Sequence, residues 1–233
     1  ISYPLLAAVY SPEEYGSYSV FLYASSLFAS SVLLRFELII PTLRRRKNFY
    51  KTVFCGVINI TLVSTLSLAV TIVYCIYYQL DYFIAIAIFI SNMFYGLFML
   101  INSINIRQGK YLISGAITAI QGSILIIFQV LFSFSDLGWR GLLSGYILSF
   151  LFTVFLFCFC FSNINEIKFC IKHGRIFSIT EYIGILKKYK SQWVGNLVQS
   201  FINVLSINTL VLGIQNIDGN TAICVFKKKK KIL

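Results

Sequence analysis

Between Tyr18 and Gly213 the chain repeats one pattern, an apolar run of about 20 residues followed by a short polar segment. Coiled as an α-helix, a run of that length matches the hydrocarbon thickness of a bilayer, where the backbone must satisfy its own hydrogen bonds. The runs read as six spans: A from about Tyr18 to Ile40, B from Thr52 to Tyr78, C from Tyr82 to Ile104, D from Ile113 to Phe134, E from Gly141 to Ser162 and F from Ser191 to Gly213. The expected fold is therefore an all-α integral membrane protein of about six complete transmembrane helices, with partial helices at both ends. At 58% hydrophobic and 12% charged residues, an ordinary soluble globule is excluded.

The charges alternate with the spans. Arg44, Arg45, Arg46, Lys47 and Lys51 follow span A, Arg107 and Lys110 follow span C, and six further basic residues lie between Asn163 and Lys190. The opposite set of segments holds one base, Arg140, and the acids Glu13, Glu14, Asp81, Asp136 and Asp218. Basic loops stay on the cytoplasmic side, so the pattern orients every span of a multi-pass membrane protein. The formal charge of +12 does not call for nucleic acid, because five of the twenty bases are the terminal run Lys227–Lys231.

Residues 1–162 read as an N-terminal transmembrane bundle, 163–190 as a basic cytoplasmic linker able to form an amphipathic interfacial helix, and 191–213 as a further span. Residues 214–226 read as a far-side turn and the beginning of another helix, and 227–233 as an aberrant polylysine tail. Ile1 at the start and the lysine run at the end suggest a fragment of a longer transporter with a slipped reading frame; the alternative for the tail is a polybasic segment on anionic lipid.

No nucleophile–base pair, phosphate loop or metal-ligand spacing is present, so no enzymatic activity, cofactor or metal is expected. The six cysteines have no framework spacing, which argues against disulfides and zinc. The sharpest functional residues are Arg35 and Glu37, charged groups inside an apolar span, where such groups face a protein interior or a hydrated cavity unless they snorkel to the headgroups. At i and i+2 on a helix they point about 200° apart, so they are not expected to pair. Gln199 and Asn203, at i and i+4, share a face of span F and suit either helix packing or a cavity wall; Asn59, Asn92, Asn102, Gln121 and Gln129 read as hydrogen-bonding helix contacts. Gly115, Gly122, Gly141 and Gly145 read as places of close helix approach.

Five segments together resemble a known family: Pro12-Glu13-Glu14-Tyr15-Gly16; Leu34-Arg35-Phe36-Glu37 with Pro41 and the basic run; Asn105-Ile106-Arg107-Gln108-Gly109-Lys110-Tyr111; Gly138-Trp139-Arg140-Gly141-Leu142-Leu143-Ser144-Gly145; and Lys187-Lys188-Tyr189-Lys190. In order and spacing they are similar to the bacterial polysaccharide transporters, the Wzx-type O-antigen flippases of the multidrug/oligosaccharidyl-lipid/polysaccharide exporter group. The resemblance extends to about Asn220 and departs at Ser191-Gln192-Trp193, where the family has a Phe-Pro pair, and at the lysine tail.

The resemblance implies a two-bundle transporter of which this chain carries helices 2 to 7, roughly one bundle. It implies translocation of undecaprenyl-pyrophosphate-linked oligosaccharide across the cell inner (cytoplasmic) membrane for O-antigen, capsule or exopolysaccharide synthesis, with Arg35 and Arg107 attracting the phosphates. Glu37 would serve proton or sodium coupling, and polysaccharide assembly proteins and the lipid bilayer would be partners. A drug or cation antiporter of the same group, a membrane glycan polymerase and an inactive product stand as alternatives.

Overall fold

The computed structural model describes residues 6, 9–78, 81–135, 137–160 and 178–218, and nothing but helices and turns occurs among them. In chain order these are α1 (Pro12–Ala29), α2 (Phe36–Ile39), a 3-10 turn (Ile40–Thr42), α3 (Arg46–Tyr78), α4 (Phe83–Arg107), α5 (Tyr111–Ser133), α6 (Trp139–Cys160), α7 (Ile179–Lys188) and α8 (Lys190–Asp218). Expectations for residues 163–177, including His173, and for residues 219–233, including the lysine tail, lie outside the described residues.

Four helices among the described residues, α3 to α6, are long and apolar enough to cross a membrane, and they coincide with expected spans B to E. Span F falls within α8, which runs on to Asp218 rather than ending near Gly213 and is not among those four.

Span A is not one helix. α1 begins as the sequence predicts, with Pro12 at its first position and a capping box in which Glu14 N–H donates to Ser11 Oγ (3.3 Å) and Ser11 N–H donates to Glu14 Oε2 (2.9 Å). It stops at Ala29, and after a turn Leu34 (φ 47°) and Arg35 (φ 61°) enter the left-handed region. No glycine or proline lies between Ser17 and Ile40, so nothing in the local sequence marks the break. Ser26 and Ser30 donate back to the carbonyls of Tyr23 and Leu27, both at 2.8 Å, in competition with the helical ladder. Tertiary packing does the rest. Val32, Leu33 and Phe36 are buried in one core with Phe49, Ile60, Leu100 and Ile104.

That packing depends on Gly96 of α4: a Cβ there would stand 2.4 Å from Val32 Cγ1 and 2.8 Å from Ile60 Cγ1. α4 is the central element, with α1, α2, the 3-10 turn, α3, α5 and α6 all packed against it. α5 lies outermost, with most of its apolar stretch uncovered by the described residues where half of that of α4 is buried. It is held to α6 by close backbone approach, since a Cβ on Gly145 would be 3.0 Å from Gln129 N, and Gly141 is similarly tight against Phe132 O at 3.2 Å. Gly115 and Gly122, by contrast, have nothing within 4 Å, so the expectation of close approach fails there. Both sit on the outer helix, where a small residue has no neighbour to admit. Gln129 ties three elements together, donating to Tyr18 Oη (2.7 Å) and Leu142 O (3.2 Å) while its own carbonyl accepts from Tyr10 (2.7 Å).

Long-range contacts sort the loops into two ends. Asp81 pairs with Arg140, and Glu14 lies against Gly138, 2.8 Å from where a Cβ would be. At the other end Arg107 bonds the carbonyl of Leu43, and Lys51 pairs with Glu181. The acidic segments thus meet one another, and the basic segments likewise, as the charge alternation requires.

Candidate functional site

The break in span A builds the first part of the site. Arg35 stands at the N-terminal boundary of α2 with φ 61° and ψ 19°, and from there its Nη1 donates to Glu37 Oε1 at 3.1 Å. The expectation that the two would not pair is therefore corrected. The 200° separation holds only on a regular helix, and the left-handed Arg35 swings its side chain back over the first turn of α2. The pair is partly buried, with side-chain exposures of 28% for Arg35 and 11% for Glu37. Arg35 Nε and Glu37 Oε2 are buried without a hydrogen-bond partner among the described residues. The two residues line a cavity of about 30 Å³ together with Ser30, Leu33, Tyr95 and Gly96, enough room for one water.

From Glu37, α2 and the 3-10 turn lead straight into the second part. Pro41, Thr42, Leu43, Arg44, Arg46 and Arg107 line an open recess of about 760 Å³ at the basic end. Arg107, in the last turn of α4, is fixed twice: its Nε donates to Leu43 O at 3.0 Å, and its guanidinium lies 3.9 Å over the Phe49 ring. Both contacts leave its two terminal nitrogens without a hydrogen-bond partner among the described residues. Three guanidiniums around one recess make a strongly anion-selecting surface, and the planar fork of arginine suits phosphate oxygens.

From Arg35 and Glu37 the chain runs through the 3-10 turn into the recess, whose wall Arg107 joins from the end of α4. Gln199 and Asn203 are not brought there. They sit exposed on α8, whose main packing partner is α1. Arg44 and Arg46 carry a topology signal in the sequence, and their place in the recess comes from the return of Arg107 to Leu43. Tyr95 and Gly96 had no signal at all.

On the basic side α7 packs against α3, capped by Ser178, whose Oγ accepts from Glu181 N–H at 3.3 Å. Besides Glu181–Lys51, Tyr182 Oη donates to Asn59 Oδ1 (2.5 Å), and Ile185, Leu186, Tyr189 and Trp193 pack on the core that holds Leu33 and Phe36. At the far end, the Phe83 N–H and the Arg140 guanidinium hold the Asp81 carboxyl below the ordinary aspartate range. No family model, curated protein or solved structure matches this chain.

Proposed function

We propose that this chain belongs to a lipid-linked oligosaccharide flippase of the bacterial inner membrane, as its resemblance to the polysaccharide transporters suggests. The recess of Arg44, Arg46 and Arg107 carries this reading. A pyrophosphate headgroup arriving from the cytoplasmic leaflet would be met there by three guanidiniums, one of them already oriented by Phe49 and Leu43. Moving such a headgroup across hydrocarbon takes a hydrated path and a protein element with two arrangements, opened to one side at a time.

In this reading the broken span would be that element. Leu34 and Arg35 each cost roughly 1–2 kcal/mol in the left-handed region, and that cost is met by the Arg35–Glu37 pair and the burial of Val32 and Phe36. A phosphate competing for Arg35, or a proton on Glu37, would remove the ion pair and favour a straighter helix. No bond in the substrate is made or broken, so no nucleophile is needed. A drug or cation antiporter would favour acidic over basic groups in its cavity, whereas here Arg35 stands beside Glu37 and three arginines line the recess.

Vesicles containing the purified chain and an undecaprenyl-pyrophosphate-linked oligosaccharide labelled on its sugar provide the test. Translocation that persists unchanged in Arg35→Ala, at equal protein level, removes Arg35 from the mechanism. Transport of cationic dyes without any movement of the labelled lipid would overturn the flippase reading.

A further inference from the structure

The two halves of α1 are held very differently. Tyr15, Gly16, Tyr18, Ser19 and Phe21 are buried in its first half, and from Leu22 to Ala29 Ser25 alone is buried. The first half is anchored: Tyr18 Oη accepts from Gln129 Nε2 at 2.7 Å, and the Tyr18 and Phe21 rings stand edge-on to Tyr146 with centroids 6.5 and 5.9 Å away. Past the break the chain is anchored again, by Val32 seated on Gly96 and by Phe36 in the core. Residues 22–31 lie between these two anchors, and Leu22, Ala24 and Phe28 are only partly buried.

The buried polar contact of this segment with other helices is made by Ser25. Its Oγ stands 3.5 Å from both Ser91 Oγ and Asn92 Oδ1 of α4, against roughly 2.7–2.8 Å for an ordinary hydroxyl bond. One hydroxyl proton serves one of the two acceptors at a time. Ser91 Oγ spends its own proton on Ile88 O at 3.0 Å, so it accepts from Ser25. Asn92 reaches the third helix, its Nδ2 donating to Ser67 Oγ of α3 at 3.3 Å. Ser25, Ser67, Ser91 and Asn92 are each no more than 3% exposed, so a bond lost among them is not replaced by bulk water. Such contacts between membrane helices are individually weak.

A segment held by long, interchangeable bonds between two firmly packed anchors is where a helix opens first. We infer that residues 22–31 are a hinge and that Asn92 is its catch, holding Ser25 and so fixing the direction in which α1 reaches the break. Asn92 and Gly96 lie one turn apart on α4, so one face of α4 grips the chain on both sides of the break. Asn92 is thereby a positioning residue for the Arg35–Glu37 pair. That the hinge serves translocation rests on the flippase reading; the hinge itself does not.

The test is amide hydrogen–deuterium exchange of the full chain in nanodiscs without substrate, resolved to single residues by electron-transfer fragmentation. A span shielded by lipid alone exchanges from its wet ends inward. The hinge predicts the reverse within α1: residues 22–29 should exchange about tenfold faster than residues 16–21, although the latter lie nearer the acidic end. Ser25→Ala removes one hydroxyl and should speed residues 22–29 a further two- to fivefold or so, leaving residues 16–21 within about twofold of wild type. Tyr18→Phe, which removes one oxygen at the anchor, should instead speed residues 16–21. In Asn92→Leu, and in Ser25→Ala where that variant does not fold, phenylglyoxal should modify Arg35 several times faster than in wild type.

Exchange that runs from the ends inward in wild type would overturn the hinge. So would Ser25→Ala and Tyr18→Phe each speeding all of α1 alike, since α1 would then move as one rigid body. Arg35 modified at the wild-type rate in these variants would overturn Asn92 as a positioning residue. Because no substrate is present, a localised response stands even where the chain moves no lipid, and its failure leaves the arginine recess untouched.

Discussion

Arg35 reaches Glu37 at 3.1 Å because Arg35 itself is left-handed, so a backbone irregularity and an ion pair sustain each other inside an apolar run. Removing one partner leaves the other charged and poorly solvated. Breaking a fully buried pair costs roughly 3–5 kcal/mol, and with Arg35 still 28% exposed the loss should be about 2 kcal/mol. Thermal unfolding in nanodiscs should show Glu37→Gln clearly less stable than wild type. The double variant Arg35→Met with Glu37→Met should recover most of the difference.

The close contact at Gly96 makes a sharp comparison with Gly115. Gly96→Ala forces a methyl to within 2.4 Å of Val32 and should cost about 1–3 kcal/mol by overpacking. Gly115→Ala meets nothing within 4 Å and gains helix propensity, up to about 1 kcal/mol. Opposite shifts in unfolding temperature are the expected outcome; equal shifts would show that the turn does not seat on α4.

Asp81 gives the pH dependence. Its folded pKa is lowered by the Phe83 N–H and Arg140, so its contribution to stability is present above the ordinary aspartate value. It is lost as pH falls through the lowered folded value, because the unfolded chain binds the proton more readily. Unfolding followed from pH 6 downward should show wild type losing part of its stability in the acidic range below about pH 4. Asp81→Asn should lack that component while behaving like wild type in the other respects of the curve.

Helix α7 is tied to α3 by Glu181–Lys51 and by Tyr182–Asn59. A Lys51→Cys, Glu181→Cys pair should therefore be joined by a short bifunctional thiol reagent within one chain. A control pair of Lys51→Cys with the exposed Ile179→Cys should join less readily. Equal yields would place α7 elsewhere.

Much of this was legible beforehand and some was not, for identifiable reasons. Spans B to E are uninterrupted apolar runs, and apolarity over that length leaves a helix as the only option in lipid, so α3 to α6 appear where expected. Charge alternation foretold which loops meet, and the Asp81–Arg140 and Arg107–Leu43 contacts follow it. The break after Ala29 was invisible because neither Leu34 nor Arg35 is a residue that favours a left-handed backbone. Its cause is the packing of Val32 onto Gly96, sixty-four positions away in the chain. For the same reason Gly96 outranks Gly115 and Gly122, which sequence spacing alone could not distinguish. Arg44 and Arg46 were read only as topology determinants, since their part in the recess depends on where α4 ends.

The most direct test of the central claim is equilibrium binding of undecaprenyl pyrophosphate to the chain in nanodiscs of zwitterionic lipid, compared with undecaprenol. Wild type should prefer the pyrophosphate, and replacing Arg107 by Ala should weaken that binding about 10- to 100-fold, the worth of a charge-assisted hydrogen bond of roughly 1.5–3 kcal/mol. Arg44→Ala with Arg46→Ala should weaken it further. Equal affinity for the two lipids, or binding indifferent to all three arginines, would contradict the account.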